Sequence, residues 1–314
     1  MSPSPNTDSI RETAWVRSSR CRVTQIRPVA AAGRVDAARA GHLRVAAVQM
    51  RSVADLDANL ARIDSLLALC ARHRVAVAAF PECAVTRYSL EAIQPLTVAR
   101  LARAERALRD SCRRHGVHAL IGMPWRTPAG LYNAALIIDQ RGRLRARHFK
   151  VHLVSEDRAW PCRSGDRPAP VFPVRGTPCS LYICHDSRYP ELIRLPVLAG
   201  ARVMFLLSHE TSLRKETKLG PHRAQDQGRA SENTVFIVHA NAPADPDFGG
   251  SHGQSRIIAP DGNIICEASQ FDEEVLWADL DLATATAGHA VRSLEAGPLA
   301  AWWRRGLRLV RRLR

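Results

Sequence analysis

A layered α/β fold is what this sequence predicts, and three observations carry the prediction. Short apolar runs with strand character alternate with segments whose apolar residues recur at helical spacing. Hairpin signals gather late in the chain, notably the Pro260-Asp261-Gly262-Asn263 turn. The chain has 314 residues and is 46% apolar, enough for one large domain with a substantial core. No internal repeat stands out and no linker interrupts residues 43–290, so that span is expected to fold as a unit.

Taken in order, residues 43–49 form an apolar run suited to a buried strand. Residues 55–72 then place Leu56, Leu60, Ile63, Leu67 and Cys70 on one helical face. A strand over 75–80, a helix over 96–115 and a strand over 117–123 repeat the pattern. A further strand over 131–139 follows the turn Thr127-Pro128-Ala129-Gly130. Alternation resumes with strands at 179–184, 203–208 and 235–240, separated by helices at 191–199 and 223–232. The hairpin of 257–259 with 264–267 and a strand at 275–280 complete the domain.

The two ends read differently. Residues 1–42 lack periodicity and mix Pro, Ser, Ala and Arg, the pattern of a mobile basic N-terminal extension. Residues 291–314 form a basic amphipathic C-terminal tail. Beyond Gly297-Pro298, Leu299, Trp303, Leu307, Val310 and Leu313 fall near one helical face, and Arg304, Arg305, Arg308, Arg311 and Arg312 occupy the rest. The expectation is that this apolar face packs on its own domain or on a partner subunit, with peripheral contact to an anionic membrane as the alternative.

The net charge of +15 is concentrated in these ends: +4 on residues 1–42 and +6 on 301–314, leaving +5 on the rest. The domain itself therefore lacks a nucleic-acid signature, and no nucleic-acid partner is expected. No stretch approaches the roughly 18 consecutive apolar residues of a membrane-spanning helix. The Arg-rich start has no apolar secretory core, so the expected location is cytoplasmic. Eight scattered cysteines lack paired C-x-x-C spacing, and a disulfide framework is not expected. His209-Glu210 opens like a zinc-protease helix, but Leu213 stands where the second His belongs. Neither a metal nor an organic cofactor is expected.

Three reactive groups follow apolar strands: Glu82 after Phe80-Pro81, Lys150 after His148-Phe149, and Cys184 after Tyr182-Ile183. A carboxylate, an ammonium and a thiol suffice for acyl transfer. The carboxylate takes the thiol proton, the thiolate attacks a carbonyl or nitrile carbon, and the ammonium stabilises thiolate and oxyanion. The backbone N–H of His185 is placed to be a second oxyanion donor. His185 and His152 would allow a Cys-His mechanism instead, but a continuing strand would turn His185 away from Cys184. The carboxylate base is therefore the preferred reading.

These residues stand in an order that resembles the nitrilase, or carbon-nitrogen hydrolase, superfamily. The resemblance runs through Phe80-Pro81-Glu82, Tyr132-Asn133-Ala134-Ala135, Lys150-Val151-His152-Leu153, Cys184-His185-Asp186-Ser187-Arg188-Tyr189-Pro190-Glu191, Arg229-Ala230-Ser231-Glu232-Asn233 and Gly253-Gln254-Ser255. It implies a four-layer α-β-β-α sandwich and a homodimer or larger assembly. It also implies Glu82 as general base, Lys150 as oxyanion cation and Cys184 as nucleophile. Glu156, with Asp157 as close competitor, is the second acid expected after the lysine. Tyr88, His185 and Arg188 are the expected substrate-binding residues. Arg188 resembles an arginine that meets substrate carboxylate in carbamoyl-amino-acid hydrolases, although Ser187 replaces the adjacent arginine. An ion pair of Arg188 with Glu191 is the structural alternative.

His185-Asp186 stands where nitrile hydrolysers carry Trp-Glu, so the resemblance favours the amidase and carbamoylase branches. The expected activity is cysteine-dependent hydrolysis of a small linear amide. N-carbamoyl amino-acid hydrolysis is the alternative within the family. A non-catalytic scaffold that binds anionic surfaces through its basic ends is the alternative from another class.

Overall fold

The computed structural model describes residues 27–30, 41–210, 219–245, 251–295 and 297–312. Most of the N-terminal extension, the expected wall loop beyond Glu210 and the last two residues lie outside the described residues. So do the side chains of residues 27–30, Trp303, Leu307 and 309–312.

Two sheets lie face to face. One has seven strands in the order β1 (Arg27–Ala30), β13 (Glu274–Asp281), β2 (His42–Gln49), β3 (Val77–Ala79), β4 (His118–Thr127), β5 (Gly130–Ile138) and β6 (Leu144–Phe149). The other has six, in the order β12 (Ile264–Glu267), β11 (Arg256–Ile258), β10 (Phe236–Asn241), β9 (Val203–Ser208), β8 (Thr177–Ile183) and β7 (Phe172–Val174). Both sheets are mixed: β2, β3 and β4 run parallel, as do β8, β9 and β10, and antiparallel strands complete the edges.

The period of two along each strand sorts side chains between the layers. From β2, Leu43, Val45 and Ala47 point between the sheets, where they meet Leu181, Ile183, Phe205, Leu207 and Val238 of the other sheet. Ala46 and Val48 point outward, into a second core with Leu56, Ile63 and Leu67 of α1 (Leu56–Arg72) and Leu101, Leu108 and Cys112 of α3 (Val98–His115). On the far side, Tyr182, Met204 and Ile237 pack under Ile193 and Val197 of α5 (Pro190–Leu198) and Ala230 of α6 (Leu219–Asn233). The result is the four-layer α-β-β-α sandwich. Central strands are covered on both faces, so they read as unbroken apolar runs.

Several elements depart from the sequence reading. Arg27–Ala30, inside the expected mobile extension, pairs in parallel with β13 at the sheet edge. Strand β6 was not expected: Leu144-Arg145-Ala146-Arg147 alternates apolar with Arg, and the exposed arginines suit an unpaired sheet edge. Short helices α2 (Leu90–Ile93) and α4 (Ser155–Ala159) line the loops after β3 and β6. The C-terminal segment forms α7 (Gly288–Glu295) and α8 (Gly297–Arg312). Among the described residues, no helix is long and apolar enough to cross a membrane.

Candidate active site

Strands β3, β6 and β8 all end at the same edge of the sandwich, and each delivers one reactive side chain in the next one to three residues. Glu82 follows β3, Lys150 follows β6, and Cys184 follows β8. The edge is held together across the two sheets. The Glu82 N–H donates to the Ser208 carbonyl at the end of β9 (3.3 Å), and the His209 N–H returns a bond to Glu82 Oε2 (3.0 Å). Gly122 of β4 lies directly beneath: a Cβ there would sit 2.2 Å from the Pro81 carbonyl oxygen and 2.6 Å from Glu82 Cα. Only glycine admits this approach.

The three predicted groups converge. Lys150 Nζ donates to Glu82 Oε1 at 2.7 Å, with both side chains fully buried. The Cys184 thiol is hydrogen-bonded to the Glu82 carboxylate, and its sulfur lies 4.0 Å from the His209 carbonyl. Asn133 of β5 donates to Glu82 Oε1 (2.6 Å) and fixes its orientation. Cys184 has φ +45, the left-handed region that few L-residues occupy, at the first residue of a 3-10 turn over Cys184–Arg188.

Asp186 braces that turn. Its buried carboxylate accepts from the N–H groups of Ile183 (3.4 Å), Val151 (3.2 Å) and His152 (2.8 Å), tying the nucleophile turn to the segment after Lys150. Burial outweighs these bonds and pushes its pKa up to about 6.

The second acid is Asp157, not Glu156. Asp157 is fully buried and spends both oxygens inside the site. Oδ2 accepts from Lys150 Nζ (2.8 Å) and the Val154 N–H (3.2 Å), and Oδ1 accepts from the Tyr88 hydroxyl (2.9 Å) and Asn133 (3.1 Å). Glu156 points to solvent and accepts only from its neighbour Ser155 (2.8 Å). The physical reason is the pitch of α4. Leu153, Asp157 and Trp160, spaced four and three apart, all turn inward, whereas position 156 lies a hundred degrees round the helix. That spacing was the available sequence signal.

The electrostatics follow from burial and pairing. Burial raises the Glu82 pKa, Lys150 opposes the rise, and Asp157 adds to it. Burial pulls the Lys150 ammonium towards neutrality, but Glu82, Cys184 and Asp157 more than reverse this and raise its pKa. Burial and then Glu82 hold the Cys184 thiol above its usual range, against the pull of Lys150. The resting arrangement is a thiol beside a carboxylate, with a permanently charged ammonium next to both.

Tyr88 lies in the site. Its ring stacks on His209 (5.1 Å) and tilts against Trp160 (4.3 Å), and Lys150 Nζ is 5.7 Å from its centroid. His185 is half-buried, edge-on to Tyr189 at 5.9 Å, with its pKa lowered by burial and then by Lys150. Arg188 is exposed, and its guanidinium meets His222 Nε2 at 3.2 Å rather than Glu191. His152 stacks on Tyr189 at 3.4 Å.

The sequence reading missed a buried cluster immediately beyond His209. Glu210 Oε2 is 2.6 Å from His252 Nε2, and Oε1 is 3.8 Å from His239 Nε2 and 3.9 Å from His222 Nδ1. His239 Nδ1 continues to Asp226 (2.8 Å), which also accepts from buried Arg256 (2.7 Å). Burial raises the Glu210 pKa, but the imidazoles of His252 and His239 overcome this and leave it well below the usual carboxylate range. The three histidines come from separate elements with no motif spacing. Among the described residues, no group of three or more His, Cys, Asp or Glu side chains is arranged to hold a metal ion.

Comparison with known proteins agrees with this architecture. The chain is 30% identical over 243 residues to the deaminated glutathione amidase of Synechocystis sp., covering 72% of this chain and 87% of that one. It is 29% identical over 207 residues to the 2-oxoglutaramate amidase of Bacillus subtilis, covering 66% and 78%. Its fold matches a mutant of the amidase from Nesterenkonia sp. AN1 that carries the acetamide moiety of fluoroacetamide on its active-site cysteine. The TM-score is 0.71 at 24% identity, covering 79% and 93% of the two chains. The Carbon-nitrogen hydrolase family model matches residues 44–290, and the chain belongs to that family, whose members are hydrolases of carbon-nitrogen bonds other than peptide bonds.

Proposed function

We propose that this protein hydrolyses small linear amides through a thioester on Cys184. The observation that carries the reading is the buried contact of Glu82 with both the Cys184 thiol and the Lys150 ammonium. Glu82 accepts the thiol proton as the sulfur attacks the amide carbonyl. The Lys150 ammonium and the His185 N–H stabilise the oxyanion. Collapse breaks the C–N bond, and the proton held by Glu82 leaves with ammonia or amine. Glu82 then deprotonates a water that attacks the thioester, the acid departs, and the sulfur recovers its proton. Asp157, the second acid, holds Lys150 in place from the side opposite Glu82. Tyr88 and His185 form walls of the substrate chamber.

N-carbamoyl amino-acid hydrolysis is the second reading, favoured by one observation: the guanidinium of Arg188 stands exposed four residues past the nucleophile. Both readings require Cys184, whereas a scaffold acting through its basic ends requires none of the buried triad. Ammonia release measured across monoamides, dicarboxylic acid monoamides and carbamoyl amino acids, with Cys184→Ala as blank, tests them together. Amide turnover with an acyl mass adduct that disappears in Cys184→Ala is the expected result. Carbon dioxide release, with affinity lost on Arg188→Ala, would establish the second reading. Full activity in Cys184→Ala would overturn both.

A further inference from the structure

Helix α8 has sixteen residues and hides no face. None of its described side chains is buried; Leu299 is 42% exposed and Trp302 is 64% exposed. It adjoins α7, whose Leu294 is 65% exposed beside it. The expected packing of the apolar face on its own domain is therefore not what the described side chains do. A helix of this length without a covered face is marginal in water. It needs a surface to lie on.

The sidedness of α8 specifies that surface. At about 100° per residue, Leu299, Trp302 and Gly306 fall within an arc of roughly 60°, and Arg304, Arg305 and Arg308 fall on the opposite side. In sequence, Trp303, Leu307, Leu309 and Val310 continue the first arc, and Arg311 and Arg312 continue the second. Residues 297–314 contain six arginines and no acid.

We propose that α8 docks the enzyme on an anionic phospholipid bilayer. The helix lies in the interface, its Leu and Trp arc enters the headgroup boundary, and its arginines reach lipid phosphates. An apolar arc with tryptophan and an arginine arc on one helix match the two layers of that boundary. Nucleic acid would engage the arginines alone and leave Leu299 and Trp302 uncovered. A second copy of this chain would cover the apolar arc, but would set six arginines of one helix near six of the other. The lipid surface satisfies both arcs together. This inference is independent of the catalytic reading, and Cys184→Ala should dock as wild type does.

The test is co-sedimentation of the full chain with vesicles of phosphatidylglycerol and phosphatidylcholine in equal parts, against phosphatidylcholine alone. Binding to the anionic vesicles is expected, weakening steeply as salt is added. The triple variant Arg304→Gln, Arg305→Gln, Arg308→Gln should lose about a hundred-fold in partitioning, at about five-fold per arginine. Trp302→Ser should lose about ten-fold. These exposed substitutions leave the core untouched, and an unchanged circular dichroism spectrum would verify the fold. Equal sedimentation with both vesicle types, or no loss in the triple variant, would overturn the proposal. So would a fall in molar mass by light scattering for Trp302→Ser, which would place the helix on another subunit. Binding of duplex DNA that is insensitive to Trp302→Ser and competes away the vesicles would overturn it in favour of nucleic acid.

Discussion

Two adjacent carboxylates, Glu156 and Asp157, offer a direct test of the site's geometry. Asp157→Asn removes one of two negative charges in contact with a buried ammonium. At 2.8 Å the Lys150–Asp157 attraction is about 6 kcal/mol at an effective dielectric of ~20. Asparagine keeps part of the hydrogen bonding, and loss of one partner from a buried pair costs about 3–5 kcal/mol. For a domain of this size that is a fall in Tm of roughly 6–20 °C. Lys150 also loses a positional restraint, and displacement of order 1 Å lowers kcat/KM by about a hundred-fold. The pH profile gives a second readout. Asp157 raises the Glu82 pKa, and Glu82 must be ionised to act as base. Removing the Asp157 charge therefore lowers that pKa and moves the acid limb of kcat/KM to lower pH. Glu156→Gln, at an exposed position, should change neither Tm nor kcat/KM by more than about two-fold or one degree. Ammonia release against pH, with calorimetry on both variants, measures all of this. Equal losses in the two variants, or an Asp157→Asn enzyme indistinguishable from wild type, would refute the geometry.

Three further outcomes follow from contacts in and around the site. Gly122→Ala drives a methyl into the Pro81 carbonyl, so Glu82 must shift. The expected loss is about a hundred-fold in kcat with 1–3 kcal/mol of stability, and unchanged kinetics would contradict the packing. Asp186 has a folded pKa raised to about 6, above its unfolded value, so its contribution to stability is complete below the unfolded pKa and is lost as pH rises through 6. Over that window the loss is about 3 kcal/mol. Asp186→Asn should flatten this part of the stability–pH curve, and an unchanged slope would assign it elsewhere. Glu210→Gln leaves three imidazoles without their shared counter-charge. A cost of about 2–4 kcal/mol in chemical denaturation is expected, and a neutral result would mean that the cluster is not charged.

Much of this molecule was legible from its residues because burial on two faces leaves a strong mark. Strands β2, β3, β8, β9 and β10 stand in the middle of the sandwich, and their continuous apolar runs located them and the reactive residues at their ends. The edges were harder. Strand β6 presents arginines to solvent at every second position, which erases the apolar signal. Strand β1 has only four residues, and pairing with β13 defines it. The choice between Glu156 and Asp157 turned on the phase of a five-residue helix, too short for a periodic pattern unless Leu153 and Trp160 are counted with it. The Glu210 cluster had no local signature, since His222, His239 and His252 meet only after α6 and the two strands beyond it are in place.

The bonds between the β3 and β9 ends have a consequence for how the enzyme fails. Base and ammonium belong to one slab of the molecule and the sulfur to the other, so turnover reports whether the slabs are seated on each other. Heating that loosens this seam should silence catalysis while both halves still hold their strands, and activity should therefore fade ahead of the far-ultraviolet signal. For the same reason, new substrate preferences are best sought in the loops after β3 and β4, which can be reshaped without disturbing that seat.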